Sequence, residues 1–196
     1  MSNPIWNIER RLGAEAPSDS RLIAAVARGD RRSFEALYRR YYPRLFGYLL
    51  NLVGSRELAE EVLDDTMVVV WQKAGGFERR SKASTWIFGI AYRRALKGLT
   101  RRRREPETAE SAGVLDELSA PDSPERDLGR KELRESMFSA LAELSIEQRS
   151  VVLLAYFEDL PYSEIAGVLE CPVNTVKTRM FHARRRLRAL LSAEAH

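Results

Sequence analysis

The sequence predicts an all-α chain made of two small helical domains joined by a flexible acidic linker. Three observations carry that expectation. Apolar residues recur at spacings of three and four in one stretch after another, the period of a helix that buries a single face. No run alternates apolar and polar residues over a length useful to a strand. Residues 105–128 are acidic and rich in Pro, Ser and Ala, and with Pro106, Pro121 and Pro124 they are too polar to bury themselves. A length of 196 residues suits two small domains.

Residues 1–19 show no period and contain Pro4, Pro17, Ser18 and Asp19, so a mobile tail is expected there. Ser20 is expected to cap a short helix over 21–28, which Gly29 ends. Asp30 caps a long helix whose stripe runs Phe34, Leu37, Tyr38, Tyr41, Leu45, Tyr48, Leu49, Leu52, with Pro43 expected to kink it. Gly54-Ser55 closes that helix and opens the next, over 56–74, which Gly75-Gly76 stops. The loop FERRSKAS leads to a fourth helix over 84–102.

Beyond the linker, Leu133, Met137, Ala140, Leu141 and Leu144 form a further stripe. Ser145, three residues before Gln148, reads as a capping box opening a helix over 146–157. Helices over 162–169 and 173–191 complete the chain. The domains are therefore drawn at 20–104 and 129–193.

Composition narrows the function classes. One Cys (Cys171) and two His (His182, His196) exclude an internal disulfide framework and a Cys/His zinc cluster. No window of 18 consecutive apolar residues is present, so no membrane insertion is expected. The N-terminus MSNPIWNIERR lacks the apolar core of a secretory signal, so the cytoplasm is the expected location. The net charge of +4 is modest, but its distribution is not. Residues 86–104 hold seven Lys/Arg and no acid, 172–196 hold six Lys/Arg and one Glu, and 105–127 hold eight acids and one Arg. One basic run alone reads equally well as a solvated helix face. Two, each helical and each segregated from acids, favour nucleic-acid surfaces.

The sharpest local signal is PYSEIAGVLECPVNTVKTRMFHARRRLRAL: a short amphipathic helix, a tight turn at Glu170-Cys171-Pro172, and a basic helix. In that last helix Val176, Met180, Ala183, Leu187 and Leu190 share one side, while Asn174, Lys177, Thr178, Phe181 and Arg185 share the other. The apolar side docks the helix, and the opposite side offers groups suited to base edges and thymine methyls in the major groove. Arg179, Arg184, Arg186 and Arg188 flank that face and suit phosphates.

The segment from AELSIEQRS to RRRLRALL closely resembles region 4 of the extracytoplasmic-function group of bacterial sigma-70-type RNA polymerase sigma factors. VARGDRRSFEALYRRYYPRLFGYL, ELAEEVLDDTMVVVWQKAGGF and SKASTWIFGIAYRRALKGLTRRRR resemble region 2 of the same group. Two domain-length resemblances in the right order are far more specific than a lone helix-turn-helix.

The resemblance implies that the first domain binds core RNA polymerase and opens the −10 element, and that the second reads the −35 element. Helix 56–74 matches the element that docks on the β′ clamp helices. Its acids beside an apolar patch suit a protein partner, and the expected interface is Glu61, Asp64, Asp65, Met67, Val70 and Trp71, with core packing as the competing role for Met67, Val70 and Trp71. The loop and following helix match the part that captures an unstacked −10 base, which points to Arg79, Arg80, Ser81, Lys82, Ser84, Thr85, Trp86, Arg93, Arg94 and Lys97. Phe77, Trp86, Phe88 and Tyr92 are candidates for stacking on bases, although core packing is favoured for Phe77 and Trp86.

The −35 contacts implied are Asn174, Thr175, Lys177, Thr178, Arg179, Phe181, His182 and Arg185, with Arg184, Arg186 and Arg188 on phosphates. Arg93 stands where many members carry Asn, Asn174 where Gly is common, and His182 where Arg is common. Pro161 stands where a capping Ser is common, and Cys171 reads as a small buried turn residue.

The partners implied are core polymerase (β′ clamp helices and β flap), promoter DNA and an anti-sigma factor or other regulator. A stand-alone operator-binding regulator is the second reading, although it has no need of the acidic helix 56–74. An enzyme is the third and weakest, since no Gly-rich phosphate loop, His-bearing metal motif or nucleophile–base pairing appears, and no cofactor is expected.

Overall fold

The computed structural model describes residues 17–104 and 136–194, and its elements there are helical. In chain order they are α1 (Asp19–Val26), α2 (Arg31–Val53), α3 (Arg56–Lys73), a 3₁₀ turn (Ala74–Gly76), α4 (Ala83–Arg104), α5 (136–142), α6 (Ile146–Tyr156), α7 (Tyr162–Val168) and α8 (Val173–Glu194). Most of the expected tail and the whole expected linker lie outside the described residues.

The caps explain most boundaries. Asp30 accepts from the Arg32 N–H at the start of α2, which runs through Pro43 as one helix and ends at Gly54 in left-handed backbone (φ 68°). Ser55 caps α3, and Ser145 with Gln148 forms a complete capping box on α6. One boundary differs from the sequence reading: Ser18, not Ser20, caps α1. The reason is tertiary. With Ser18 as cap, Asp19 falls in the first turn, where its carboxylate accepts from Tyr41 Oη at 2.7 Å and pairs with Arg40.

Two lobes form around α2, α3 and α4 and around α6, α7 and α8. Gly98 sets the approach of α4 to α3: a Cβ there would lie 2.8 Å from Leu58 Cδ1 and 3.5 Å from Val62 Cγ2. The distance to Val62 is ordinary contact, whereas the buried Leu58 side chain would have to shift within the packed core. Gly98→Ala is therefore expected to lower stability by about 1 kcal/mol net, overpacking outweighing the gain in helix propensity. A lower denaturation midpoint with an unchanged slope is the reading that checks it.

The two lobes do not stand apart on either side of a linker. Their apolar side chains form one continuous core, with α4 against α7 and α2 against α6. Tyr48 Oη and Ser150 Oγ share a buried hydrogen bond of 2.6 Å across the boundary. Arg149 donates to the Leu52 carbonyl at 3.0 Å. Arg44 in α2 donates through Nε to Glu158 Oε2 at 2.8 Å, with its guanidinium over the Tyr41 and Phe88 rings. Burial pushes the Glu158 carboxyl above its ordinary range, even though Arg44 opposes the shift.

Candidate nucleic-acid and protein interfaces

On α8 the two faces separate as the spacing requires. Val176, Met180 and Ala183 are buried and seat the helix on α6 and α7. Asn174, Lys177, Thr178, Phe181, His182, Arg184, Arg185, Arg186 and Arg188 are exposed, and Thr175 is half-buried. Phe181 is 63% exposed, with its ring edge-on to His182 at 5.4 Å. A large apolar ring held in water beside amide, ammonium and hydroxyl groups suits a partner that brings methyl groups and hydrogen-bond edges together.

Not every candidate cation flanks that face freely. Arg179 is half-buried and turns back on the helix-turn-helix turn, its Nη1 3.6 Å from Cys171 Sγ. Cys171 is accordingly half-buried rather than buried. Arg184 lies over the Tyr156 ring and Arg186 is 3.6 Å from Glu143.

The loop before α4 begins in unusual backbone, with Arg79 at φ 57°. Arg80 pairs with Glu78 at 2.6 Å, while Ser81 and Lys97 are exposed and Ser84 is half-buried. Phe77 and Trp86 pack on each other, ring centroids 5.1 Å apart. Phe88 and Tyr92 are corrections to the sequence reading, since both are buried and neither can stack on a base in this arrangement. Phe88 meets Tyr48 edge-on in the shared core. Thr85 is buried beneath the second lobe, at 6% exposed.

A cavity of about 270 Å³ opens beside Trp86, lined by Val69, Lys73, Ile90, Arg93 and Arg94. Lys73 is the cation that sequence reasoning missed there. Its place in the last turn of α3 reads as ordinary helix-end chemistry.

The exposed side of α3 needs two further corrections. Met67 and Val70, expected at a protein interface, are 2% and 0% exposed and belong to the core. Val68, between them, is 51% exposed and is the apolar side chain that this face presents. Trp71 is half-buried, edge-on to Phe34 at 5.2 Å. Phe34 in turn begins a ladder of aromatic rings on α2 that continues through Tyr38, Tyr42 and Phe46.

Glu61, Asp64 and Asp65 are exposed as expected. They have partners nonetheless. Arg101 donates to both Glu61 oxygens at 2.8 and 2.6 Å, and that bonding holds the Glu61 carboxyl below its usual range. Arg94 donates to Asp65 at 3.3 Å, and Arg102 to Glu57 at 2.6 Å. Asp64 accepts from Tyr38 Oη at 3.2 Å. The acidic side of α3 and the basic end of α4 thus neutralise each other along one edge, leaving Asp64 beside Val68 as the acid–apolar pair without a cation on it among these bonds.

No helix among the described residues is long and apolar enough to cross a membrane.

Comparison with known proteins gives a consistent result. A family model described as sigma-70 region 2 matches residues 37–105, and one described as sigma-70, region 4 matches residues 134–187. The RNA polymerase sigma-H factor of Pseudomonas aeruginosa is 32% identical over 173 residues, covering 85% of this chain and 90% of its own. The ECF RNA polymerase sigma-E factor of Haemophilus influenzae is 30% identical over 178 residues, covering 87% and 94%. Among solved structures, CnrH in complex with the cytosolic domain of CnrY matches with a TM-score of 0.67 and 25% identity, over 90% of this chain and 99% of that one. The sigma factor RpoE in complex with the anti-sigma factor NepR from Bartonella quintana matches with a TM-score of 0.64 and 27% identity, over 82% and 98%.

Proposed function

The chain belongs to the extracytoplasmic-function sigma factors of the sigma-70 family, and from that membership we propose how its residues divide the work of directing RNA polymerase to promoters. The first lobe, residues 20–104, engages core polymerase through Asp64, Asp65, Val68, Glu61 and the half-buried Trp71. Its loop and α4 engage the −10 element through Arg79, Arg80, Ser81, Lys82, Ser84, Thr85, Trp86, Arg93, Arg94 and Lys97. The second lobe, residues 129–193, reads the −35 element with α8.

The observation that carries this reading is the single chain's pairing of an exposed acid–apolar helix side with two separate basic surfaces. The factor acts in the cytoplasm, supplies no catalytic group, and leaves the chemistry to polymerase. A regulator of the kind named with the Bartonella quintana relative, an anti-sigma factor, is its proposed third partner.

Pull-down of core polymerase followed by run-off transcription on a promoter library tests the reading as a whole. Retention of core and transcription from a discrete promoter subset is expected. A chain that binds duplex DNA specifically but neither retains core nor supports transcription would instead be an operator-binding regulator.

Within α8, Lys177 and Phe181 are expected to set −35 preference, because docking of Val176, Met180 and Ala183 leaves both exposed on the opposite side. Lysine donates to guanine O6 and N7, and an aromatic ring meets a thymine methyl. Loss of either contact, in Lys177→Ala or Phe181→Ala, is expected to cost about 1–3 kcal/mol at one base position and to relax selection there. Arg184→Ala and Arg186→Ala are expected to weaken binding evenly across sequences and to flatten the salt dependence. Sequence selection with each variant separates the two roles: an unchanged −35 consensus for Lys177→Ala would move that residue to the phosphate class.

A further inference from the structure

Two cations of the proposed −10 surface, Lys82 and Arg93, already have anionic partners in the closed chain, and those partners come from the second lobe. Glu164 in α7 uses both of its oxygens. Oε1 lies 2.5 Å from Lys82 Nζ, and Oε2 accepts from Thr85 Oγ1 at 3.1 Å. Glu170, in left-handed backbone (φ 51°) in the turn before α8, receives the Arg93 guanidinium. An ammonium, a hydroxyl and a guanidinium are the donors that a sugar-phosphate backbone takes, and a carboxylate offers them the same charged acceptor oxygens.

The packing beneath these bonds leaves no room for a nucleic-acid strand. A Cβ on Gly167 would lie 3.2 Å from Thr85 Cγ2, and one on Gly89 would lie 3.7 Å from the Val168 carbonyl oxygen. The absence of a side chain at Gly167 lets α7 press on Thr85 of α4, and at Gly89 the Val168 carbonyl already lies at van der Waals distance. Tyr92, on the same side of α4, is buried as well.

The contact is also of a reversible kind. Arg93 and Glu170 both keep about half or more of their side-chain surface in water, where an ion pair adds little. Glu164 is the better-covered acid, and its partner Lys82 is largely exposed.

We propose that Glu164 and Glu170 are built-in substitutes for DNA phosphates: they hold the −10 surface shut in the isolated chain, so that lobe closure and capture of a promoter strand exclude each other. This rests on the reading of α4 and its leading loop as the −10 surface. It adds a source of inhibition that needs no second protein.

Two experiments on the full chain test it. In the first, fluorescence anisotropy measures binding of a fluorescein-labelled, randomised 20-nucleotide single-stranded DNA. Glu164→Gln with Glu170→Gln is expected to tighten binding at least ~10-fold by releasing the closed fraction. The charge-matched pair Glu35→Gln with Glu60→Gln, whose side chains pair with Arg39 and Arg56 one turn away on their own helices α2 and α3, controls for the general effect of removing two acids, expected at ~2-fold or less.

In the second, Thr85→Cys with Gly167→Cys, in a Cys171→Ala background, allows a disulfide across the α4–α7 contact. Oxidation is expected to lower both oligonucleotide binding and run-off transcription with core polymerase below the level that the same variant reaches when reduced, and reductant to return both to that level. Three outcomes overturn the proposal: equal binding by the two Gln pairs, failure of the cross-link to form, or an oxidised protein as active as the reduced one. Failure of the parent chain to support transcription would instead overturn the sigma-factor reading, and the anisotropy comparison would still decide the latch.

Discussion

Replacing Arg44 with Met is expected to part the two lobes while leaving each of them folded. Glu158 is only 7% exposed at its side chain and has Arg44 at 2.7 Å as its ionic partner. Removing one member of a buried pair leaves a charge without compensation, a change that costs about 3–5 kcal/mol. The Arg44 side chain is 30% exposed, so the low end, about 3 kcal/mol, applies. The loss has a ceiling, because separation of α2 from the second lobe returns Glu158 to water. Opening, not unfolding, is therefore the cheapest relief.

The pH dependence follows from the direction of the Glu158 shift. Burial already raises this carboxyl, and loss of Arg44 raises it further. A raised value in the closed state means that closure binds a proton more tightly than the open state does. Closure of Arg44→Met is thus favoured as pH falls and lost as pH rises through the raised value. Compared with the parent at the same pH, the excess opening of the variant, read by small-angle scattering, is expected to shrink as pH falls toward about 4. Adding Glu158→Leu to Arg44→Met is expected to restore closure at neutral pH, because a well-packed apolar pair commonly matches a buried ionic one. A variant as compact as the parent at every pH would show that the pair contributes nothing to closure.

Charge reversal on α3 is the second large effect expected. Asp64→Lys with Asp65→Lys should lower the affinity for core polymerase by about 3 kcal/mol, more than 100-fold, since like charges placed across an interface cost several kcal/mol. The two positions are not equivalent. Asp65 accepts from Arg94, so Asp65→Lys also sets two cations side by side within the lobe. Asp64 bonds only to the Tyr38 hydroxyl among the bonds described above, and Asp64→Lys alone is the cleaner test. Helicity and melting temperature close to those of the parent are expected for Asp64→Lys. Unchanged affinity for core with an unchanged fold would remove this side of α3 from the interface.

The division into helices was largely legible because its causes are local. Asp30, Ser55 and the Ser145–Gln148 box mark three helix starts through bonds that span two or three residues. The two faces of α8 follow from spacing alone, as Val176, Met180 and Ala183 against Phe181 show. The choice among Ser18, Asp19 and Ser20 as the α1 cap was not legible, since all three are cap-competent and a residue in α2, Tyr41, decides. Period failed on α3 for a related reason. That helix packs against α2 and α4 at once, so Met67, Val69 and Val70 are all buried and the run Met67–Trp71 has no polar residue to betray that Val68 faces water.

Least legible of all was the joining of the lobes. Glu158, Glu164 and Glu170 look like solvated acids in sequence, and Ser150 like an ordinary helix residue. Their partners Arg44, Lys82, Thr85, Arg93 and Tyr48 lie on the other side of the linker. No spacing rule links residues so far apart, and only the assembled surfaces show the match.

That same sequence distance imposes an order in time. The helices of the first lobe are complete once Arg104 has been made, whereas Glu158, Glu164 and Glu170 are still to come. Roughly fifty residues separate Arg104 from Glu158, and at about 5–20 residues per second their synthesis takes about 3–10 s. For those seconds a nascent first lobe presents Lys82, Thr85, Arg93 and Tyr48 without their partners from the second lobe. A growing chain on the ribosome is thus expected to pass through a stage in which its basic helix is open to any nearby polyanion, including the messenger that encodes it. Only the finished chain can fold its own acids over that helix and let the polyanion go.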